Sequence, residues 1–270
     1  MDILICGYGN IGKHIYTELL PTIKNCDAAI HVYDKYENIQ FVSDPLYMDL
    51  HRGWTTSKFD YVFICVPTEM KNDGSVNTEE VLDCINKYSN SDTLVIKSAV
   101  PVGFTDKIAN NNNIVVSPEF WGTTQHSKDP DYIILGGYRD YTDKVANLYS
   151  YAKDGYYKYH FTDHKTAELV KYMENCWIAT KVTFCNEFAE IAKKFGISYP
   201  ELRELWLADS RVSPSHTYVY PEEPYFNSHC LNKDVPALIN FCEKQGIDTP
   251  LIKKVLEIRN SKKDFKFLQI

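Results

Sequence analysis

The sequence predicts an α/β protein in which a doubly wound parallel sheet is followed by an all-α domain. Over residues 1–160, short apolar runs alternate with amphipathic helical patterns, and this rhythm is typical of a parallel sheet with helices on both faces. From about Asp163 the periodicity is helical, and one unusually long helix can reach Phe195. We therefore expect one domain at residues 1–160 and a helical domain at residues 161–270.

Each predicted element has a local signal. Strands are expected where apolar runs are bounded by turn residues: 2–6, 29–33, 59–66, 93–97, 114–117, 132–135 and 156–161. Helices are expected where apolar residues recur every three or four positions: the segment with Ile11, Ile15 and Leu19, then 78–88, 140–152, 163–195, 200–209, 234–245 and 249–260. Gly196 should end the long helix as a C-cap.

The chain begins with a pattern of strand, glycine turn and helix. The strand Asp2–Cys6 leads into Gly7-Tyr8-Gly9-Asn10-Ile11-Gly12, where the helix N-terminus can offer N–H groups to phosphates. The second strand ends in Asp34, whose carboxylate can bind an adenosine ribose and repel a 2′-phosphate. These features predict a Rossmann-type domain that prefers NAD to NADP, a preference that Lys35 weakens slightly. A glycine turn without a ligand is the alternative.

Composition narrows the class of protein. A chain of 270 residues with 44% hydrophobic content can form a real core, and a net charge of −7 argues against nucleic-acid binding. We expect a cytoplasmic protein without a membrane partner, because no apolar run reaches the roughly 20 residues of a membrane span and no leader precedes the first strand. Eight cysteines without a C-x-x-C pair indicate reduced thiols and no metal site.

Loops at the predicted strand ends carry further candidates. Val66-Pro67-Thr68, the segment 98–103 and Ser117-Pro118-Glu119-Phe120 each follow a strand. Ligands of doubly wound sheets bind at the carboxyl ends of the strands, so these loops are expected near a ligand. Each also fits a plain turn, and Glu119 also fits a solvated or paired carboxylate.

A cysteine near the start of a helix is the candidate nucleophile. Cys230 lies in the segment Tyr225–Asp234, beside Lys233 and Asp234. A helix N-terminus and an ammonium group both stabilise a thiolate, so Cys230 can act as a nucleophile. The alternative is a small buried side chain, as for most intracellular cysteines.

Two pairs of polar residues recur at a spacing of four. Lys171 and Asn175 share a face of the long helix, and Cys230 and Asp234 repeat that spacing, so together they could form one site. The apolar positions of the long helix exceed a single stripe, which predicts burial against other helices or a second subunit. These positions are Leu169, Val170, Met173, Trp177, Ile178, Val182, Phe188 and Ile191.

These motifs resemble the UDP-glucose/GDP-mannose dehydrogenase family over nearly all of the chain. Besides the glycine turn, the resemblance rests on the motifs at 66–68, 97–103, 117–120, 167–175, 186–187, 209–212 and 230–234. It implies an NAD-dependent oxidoreductase that uses a cysteine to oxidise the CH–OH group of a nucleotide sugar twice, to a carboxylate, as in UDP-glucose 6-dehydrogenation.

The resemblance implies a chemical role for each matching residue. Cys230 would capture the aldehyde as a thiohemiacetal, which a second hydride transfer converts into a thioester. Lys171 and Asn175 would stabilise the oxyanion. Asp234 would support the base or water, and Glu119 would assist proton transfer. The alternatives are a surface salt bridge for Lys171 and a helix cap or ion pair for Asp234.

The resemblance also implies binding residues and a homodimer built on the long helix. Arg211 would reach a substrate in the neighbouring subunit, with a surface salt bridge as the alternative. Lys171 and Asn175 would also contact the substrate. The NAD cofactor would be held by Gly7, Tyr8, Gly9, Asn10, Ile11, Gly12, Asp34, Val66, Pro67, Thr68 and Lys233.

Several departures from the family's pattern alter the expected chemistry. Ala99 replaces a threonine whose hydroxyl helps to position the hydrolytic water, so thioester hydrolysis loses one support. Trp121-Gly122-Thr123 replaces Leu-Arg-Glu, and Asn227-Ser228 replaces a glycine pair before the cysteine. The chain stops at Ile270, about where the family's third domain would start. We therefore expect that another chain completes the site or that the substrate is smaller or different.

Three functions remain open. The first is an NAD-dependent dehydrogenase that converts a nucleotide sugar or related polyol to an acid through Cys230. The second stops after one hydride transfer, acts on a different or smaller polyol, or passes the acyl group to an acceptor other than water. The third is a non-catalytic NAD-binding or assembly subunit. We favour catalysis because a structural subunit has no physical need for a thiol together with its oxyanion donors.

Overall fold

The computed structural model describes residues 1–36, 39–42, 58–108, 110–122, 130–152 and 157–267. These residues fall into two compact units. The sheet unit comprises the described residues of Met1–Glu69, Val76–Thr123 and Lys128–Lys171. The helical unit comprises the described residues of Met70–Ser75 and Tyr172–Ile270. The domain boundary expected at residues 160–161 stays a prediction.

The sheet unit contains eight described strands and three helices. The strands are β1 (Asp2–Cys6), β2 (Ala29–Asp34), β3 (Ile39–Val42), β4 (Tyr61–Ile64), β5 (Thr93–Ile96), β6 (Ile114–Val116), β7 (Tyr132–Gly136) and β8 (Lys158–Thr162). The helices are α1 (Asn10–Asn25), α2 (Glu79–Lys87) and α3 (Arg139–Ala152), and a longer helix, α4 (His164–Lys194), begins in this unit.

The strand order is β3-β2-β1-β4-β5-β6-β7-β8. Strands β2, β1, β4, β5 and β6 are mutually parallel, which confirms the predicted Rossmann-type sheet. Two antiparallel pairs were not predicted: β3 with β2, and β7 with β6. Parallel neighbours need a long crossover, usually a helix. The connection from β2 to β3 is short, and the described residues between β6 and β7 contain no helix, so both pairs run antiparallel.

Strand β1 is buried on both faces of the sheet. Ile3 and Ile5 belong to the core that includes Ile15 and Leu19 of α1 and Val145, Leu148 and Tyr149 of α3. Leu4 and Cys6 belong to the opposite core, with Val81 and Ile85 of α2. Burial on both faces explains why β1 is an unbroken apolar run instead of an alternating one.

The helical unit is built from the later part of α4 with α5 (Tyr199–Trp206), α6 (His229–Lys244) and α7 (Pro250–Phe267). A core cluster joins α4, α6 and α7 through Cys176, Ala179, Phe226, Leu231, Val235, Ile239 and Val255. The long helix is confirmed to within one residue at each end. Gly196 has φ +69°, and the N–H of Ile197 donates to the carbonyl oxygen of Ala192 at 2.8 Å, so the predicted glycine C-cap is also confirmed.

The predicted start of α6 at residue 234 was wrong, since the helix begins at His229. The side-chain oxygen of Ser228 accepts the N–H of Leu231 at 3.2 Å, and this cap starts the helix upstream of Pro236. Cys230 consequently lies in the first turn of α6, as the motif itself suggested. No helix among the described residues has the length and apolar character needed to span a bilayer.

Candidate functional site

The glycine turn after β1 holds α1 close to the end of the sheet. Gly7 has φ +89°, and a Cβ on it would lie 2.7 Å from the carbonyl oxygen of Cys65. A Cβ on Gly12 would lie 1.9 Å from the carbonyl oxygen of Gly7, so only glycine lets α1 pack this closely. Gly9, the N-cap of α1, has no described heavy atom within 4 Å of its Cβ position. A phosphate therefore has room above Gly9, at the N-terminus of α1.

The carboxylate of Asp34 is held between two backbone N–H groups. The N–H of Tyr8 donates to Oδ2 at 2.6 Å, and the N–H of Tyr36 donates to Oδ1 at 2.8 Å. Each carboxylate oxygen can accept a second hydrogen bond, so the buried group can still receive ribose hydroxyls. This geometry suits the role expected for the acid that ends β2.

The loops after β4 and β5 are tied together. The hydroxyl of Ser98 donates to the carbonyl oxygen of Val66 at 2.6 Å, and the N–H of Lys97 donates to Ile64 at 3.0 Å. Thr68 is buried and Pro67 is exposed. The predicted cofactor residues Val66, Pro67 and Thr68 thus lie on a loop whose start is hydrogen-bonded to the residues directly after β5.

Glu119 forms a buried ion pair. The ammonium of Lys97 lies 3.1 Å from Oε2, and the N–H groups of Phe120 and Trp121 donate to Oε1 at 3.0 Å and 2.8 Å. Burial alone raises the pKa of Glu119, but the Lys97 charge and the Trp121 N–H outweigh it, so the pKa lies below its ordinary value. Glu119 is therefore ionised at neutral pH and can accept a proton but not donate one.

Helix α1 adds two titratable residues beside Glu119. His14 and Glu18, one turn apart, each have an atom suited to metal binding, and together with one from Glu119 these atoms lie within 4.8 Å of one another. The His14 ring also stacks on Trp121, with 4.6 Å between centroids. The hydroxyl of Tyr157 donates to Glu18 at 2.5 Å. Sequence reasoning missed this cluster, for which the i, i+4 spacing of His14 and Glu18 was the available signal.

Asp234 lies at the centre of a buried polar network in the helical unit. The amide nitrogen of Asn175 donates to Oδ2 at 2.6 Å, and the ammonium of Lys233 lies 2.6 Å from Oδ1. All three side chains are buried. The structure thus brings together three of the predicted site residues, and it gives Asp234 the ion pair that was one of its alternatives.

Cys230 is an exposed thiol in the first turn of α6, the turn that Ser228 caps. The structure describes all eight cysteines, and this is the one that is exposed. The alternative of a small buried side chain is therefore wrong. A helix N-terminus favours a negative charge, so this position suits a nucleophilic thiolate.

The remaining predicted residues have local partners. The ammonium of Lys171, partly exposed, lies 5.0 Å from the ring centroid of Phe120. Arg211 is 88% exposed, and its guanidinium makes three hydrogen bonds to the carboxylate of Asp209, as the surface salt bridge alternative expected. Thr123 lies outside the described residues. The assigned roles of Lys171 and Arg211 stay predictions.

Two family models match most of the chain. The NAD binding domain of the UDP-glucose/GDP-mannose dehydrogenase family matches residues 42–153, and the central domain of the same family matches residues 165–261.

Curated relatives agree with these matches. A UDP-glucose 6-dehydrogenase of Rickettsia prowazekii is 31% identical over 214 residues, which cover 74% of this chain and 49% of the relative. The UDP-glucose 6-dehydrogenase YwqF of Bacillus subtilis is 30% identical over 220 residues, covering 75% of this chain and 49% of the relative. The chain thus spans about half the length of the curated relatives it matches.

Solved structures show the same fold. A UDP-glucose dehydrogenase from Pyrobaculum islandicum superposes with a TM-score of 0.75 at 20% identity, covering 96% of this chain and 68% of that one. A GDP-mannose dehydrogenase from Pseudomonas aeruginosa gives a TM-score of 0.62 at 20% identity, covering 100% of this chain and 71% of that one.

Two alanine substitutions in the glycine turn should have opposite signatures. Gly12→Ala should destabilise the fold by about 3 kcal/mol, because its Cβ meets a backbone carbonyl. Gly9→Ala should change stability by less than about 0.5 kcal/mol. It should nevertheless weaken NAD binding roughly tenfold, since the methyl group occupies the place of the pyrophosphate. Urea denaturation and calorimetric NAD titration measure the two effects, and Gly9→Ala with wild-type NAD affinity would contradict the phosphate placement.

Glu119→Gln should destabilise the protein by about 3–5 kcal/mol at pH 7, because it leaves the Lys97 ammonium buried without a counter-charge. Since the pKa of Glu119 lies below the ordinary 4.5, its stabilisation is present above about pH 4.5 and is lost as the pH falls through the folded-state value. The variant should therefore show a flatter stability profile on the acid side. The double variant Glu119→Gln/Lys97→Met should recover part of the loss. Equal stability of wild type and Glu119→Gln at pH 7 would exclude a strong pair.

Proposed function

Because the chain belongs to the UDP-glucose/GDP-mannose dehydrogenase family, we propose that it oxidises the primary alcohol of a nucleotide sugar with NAD as the hydride acceptor. The observation that carries the proposal is the exposed Cys230 thiol at the N-terminus of α6, one turn before the buried network of Asp234. The relatives that are named UDP-glucose 6-dehydrogenase support the choice of substrate class.

The proposed chemistry proceeds through the Cys230 sulfur. NAD, held at the glycine turn and by Asp34, would supply the hydride acceptor for both oxidations, one molecule for the alcohol and a second for the thiohemiacetal. The Cys230 thiolate adds to the aldehyde carbon, forming a C–S bond and an oxyanion that is then protonated. Loss of a hydride and a proton converts this adduct into a thioester. Water cleaves the thioester, releasing the acid and restoring the thiol.

The proposal assigns charge stabilisation to the polar residues. The Asn175 amide donates to Asp234, which fixes its orientation, and the Lys233 ammonium balances the Asp234 charge. In the proposal, Asn175 and Lys171 stabilise the oxyanion that forms as sulfur adds to the aldehyde. Asp234 supports the hydrolytic water or its base. Lys233 was predicted to bind the cofactor. Because its ammonium forms an ion pair with Asp234, the proposal gives it an indirect role, in which it acts on the cofactor through this network.

Glu119 has a narrower role than general proton transfer. Its pKa lies below the ordinary value, so the proposal makes it an acceptor of the proton from the alcohol or from water. Its ion pair with Lys97 keeps it charged and in place. A general acid role is not part of the proposal.

A second candidate function follows from Ala99, which carries no hydroxyl to hold the hydrolytic water. In this candidate the chain performs one oxidation and releases the aldehyde, or passes the acyl group from Cys230 to an acceptor other than water. Release of the aldehyde forms one NADH per substrate instead of two. Acyl transfer also forms two NADH, so it is recognised by a product other than the free acid.

We further propose that the long helix forms a homodimer. An apolar stripe along α4 is exposed, with Met173 71%, Trp177 61%, Phe184 44%, Phe188 41% and Ile191 47% exposed, and Phe195, directly after the helix, is 75% exposed. Their spacing of three, four or seven residues places them along one face of the helix. Contiguous exposed apolar surface of this kind marks a protein interface. A partner on this stripe would be a second copy of the chain, in which Arg211 could reach the neighbouring substrate.

Cys230→Ser should uncouple the two oxidations. We expect the wild type to form two NADH per nucleotide sugar consumed, and Cys230→Ser at most one, because a serine hydroxyl does not form the thioester. Cys26→Ser is the matched control and should retain two, since a hydroxyl can replace the bond from the Cys26 thiol to the Thr22 carbonyl oxygen. The measurement is NADH absorbance against substrate loss across UDP- and GDP-linked sugars and simple sugar alcohols. One NADH in the wild type would favour release of the aldehyde after one oxidation, and NAD binding without turnover would favour a non-catalytic subunit.

Trp177→Glu should dissociate the proposed dimer, because two carboxylates would be buried in the interface. We expect the dimer Kd to rise by roughly 100-fold or more, equivalent to about 3 kcal/mol. Leu251→Glu replaces another exposed apolar residue, on α7, and should leave the dimer intact. Sedimentation equilibrium measures both variants. A wild type that sediments as a monomer at micromolar concentration would refute the interface.

A further inference from the structure

The end of β2 presents opposite charges to the region where the ribose of a dinucleotide is expected. Asp34 is the last residue of β2, and Lys35 follows it directly. A carboxylate there repels the 2′-phosphate of NADP, whereas an accessible ammonium attracts it. Which dinucleotide binds therefore depends on where the Lys35 ammonium is held.

Lys35 is held by a residue of α2. Its ammonium lies 3.3 Å from Oε1 of Glu80, and the hydroxyl of Tyr36 donates to the same oxygen. The ammonium also lies 5.0 Å from the ring centroid of Tyr36. The hydrogen bond to Glu80 raises the pKa of Lys35, so Lys35 carries its positive charge at neutral pH. All of these residues belong to the sheet unit.

Glu80 is fixed by the helix that carries it. It lies in the first turn of α2, where the helix N-terminus favours a negative charge. The next residue, Val81, is fully buried in the core between α2 and the sheet, which anchors this turn. The Glu80 side chain is 22% exposed, against 53% for Lys35, so the carboxylate is the fixed member of the pair.

We propose that Glu80 is a specificity-determining residue that selects NAD over NADP. It draws the Lys35 ammonium away from the position of a 2′-phosphate and adds a second negative charge near Asp34. With Glu80 present, these three side chains carry a net negative charge, and with glutamine in its place they are neutral and Lys35 is released. The inference rests on the proposed binding of NAD at the glycine turn.

The test compares two adjacent glutamates in the same helical turn. Glu80→Gln removes the partner of Lys35, whereas Glu79→Gln makes the same change in net charge at an exposed neighbour. Dissociation constants for NAD and for NADP are measured by calorimetry on the full chain. We expect Glu80→Gln to improve NADP binding relative to NAD by about 2- to 5-fold, as for an exposed ion pair, and Glu79→Gln to leave the ratio unchanged. Raising the salt concentration should shrink the effect.

The outcomes separate this inference from the proposed function. The inference is supported if Glu80→Gln changes the ratio of the two dissociation constants and Glu79→Gln does not. It is further supported if Glu80→Lys gives a larger change than Glu80→Gln and Glu79→Lys does not. If NAD binds but the ratio is unchanged in both Glu80 variants, or changes equally in the Glu79 variants, the inference is overturned while the proposed function stands. If the wild type binds neither dinucleotide, the proposed function fails and the inference fails with it. A merely structural role for Glu80 would weaken both dinucleotides alike and leave the ratio unmoved.

Discussion

The close approach of Gly12 to the carbonyl oxygen of Gly7 is the contact on which the ligand-binding edge of the sheet unit depends. Since no side chain fits between them, α1 is seated directly on the end of β1. This seating lets the backbone between the two glycines reach Asp34, and it brings His14 on the next turn of α1 beside Glu119. One backbone contact therefore links the glycine turn, the acid that ends β2 and the loop after β6.

The same solution for a buried carboxylate occurs in both units. Glu119 is satisfied by a lysine and two backbone N–H groups, and Asp234 by a lysine and an amide. Burying a carboxylate is costly unless a cation and hydrogen bonds replace its hydration, so each network has to be nearly complete. In the helical unit the network ties α6 to α4 one turn after Cys230. The helix that carries the exposed thiol is therefore held by contacts close to Cys230, and a reactive group needs such contacts for a defined geometry.

Features with a local cause were predictable from the sequence, and features that depend on distant partners were not. The β1-α1-β2 unit, the full length of α4 and the Gly196 cap all follow from periodicity and backbone preference within one segment. The antiparallel strands depend on connection length, and the start of α6 depends on a serine cap that outweighs the signal from Pro236. The ion pairs Lys97–Glu119 and Lys35–Glu80 join residues from different elements, and no sequence spacing connects them. These two ion pairs form only because the fold brings residues that are distant in the sequence next to each other.

The loop after β6 departs from the family's pattern, and it too is positioned by a residue that is distant in the sequence. Where the resemblance leads one to expect Leu-Arg-Glu, the chain has Trp121 and Gly122, which lack the charged side chains of that motif. The Trp121 ring instead stacks on the His14 ring at an interplanar angle of 12°, and the backbone N–H of Trp121 donates to Glu119. Aromatic stacking in a partly buried position is not screened by salt as a surface charge would be. The loop is therefore anchored to α1 by packing, and its position is tied to the same helix that the glycine turn seats.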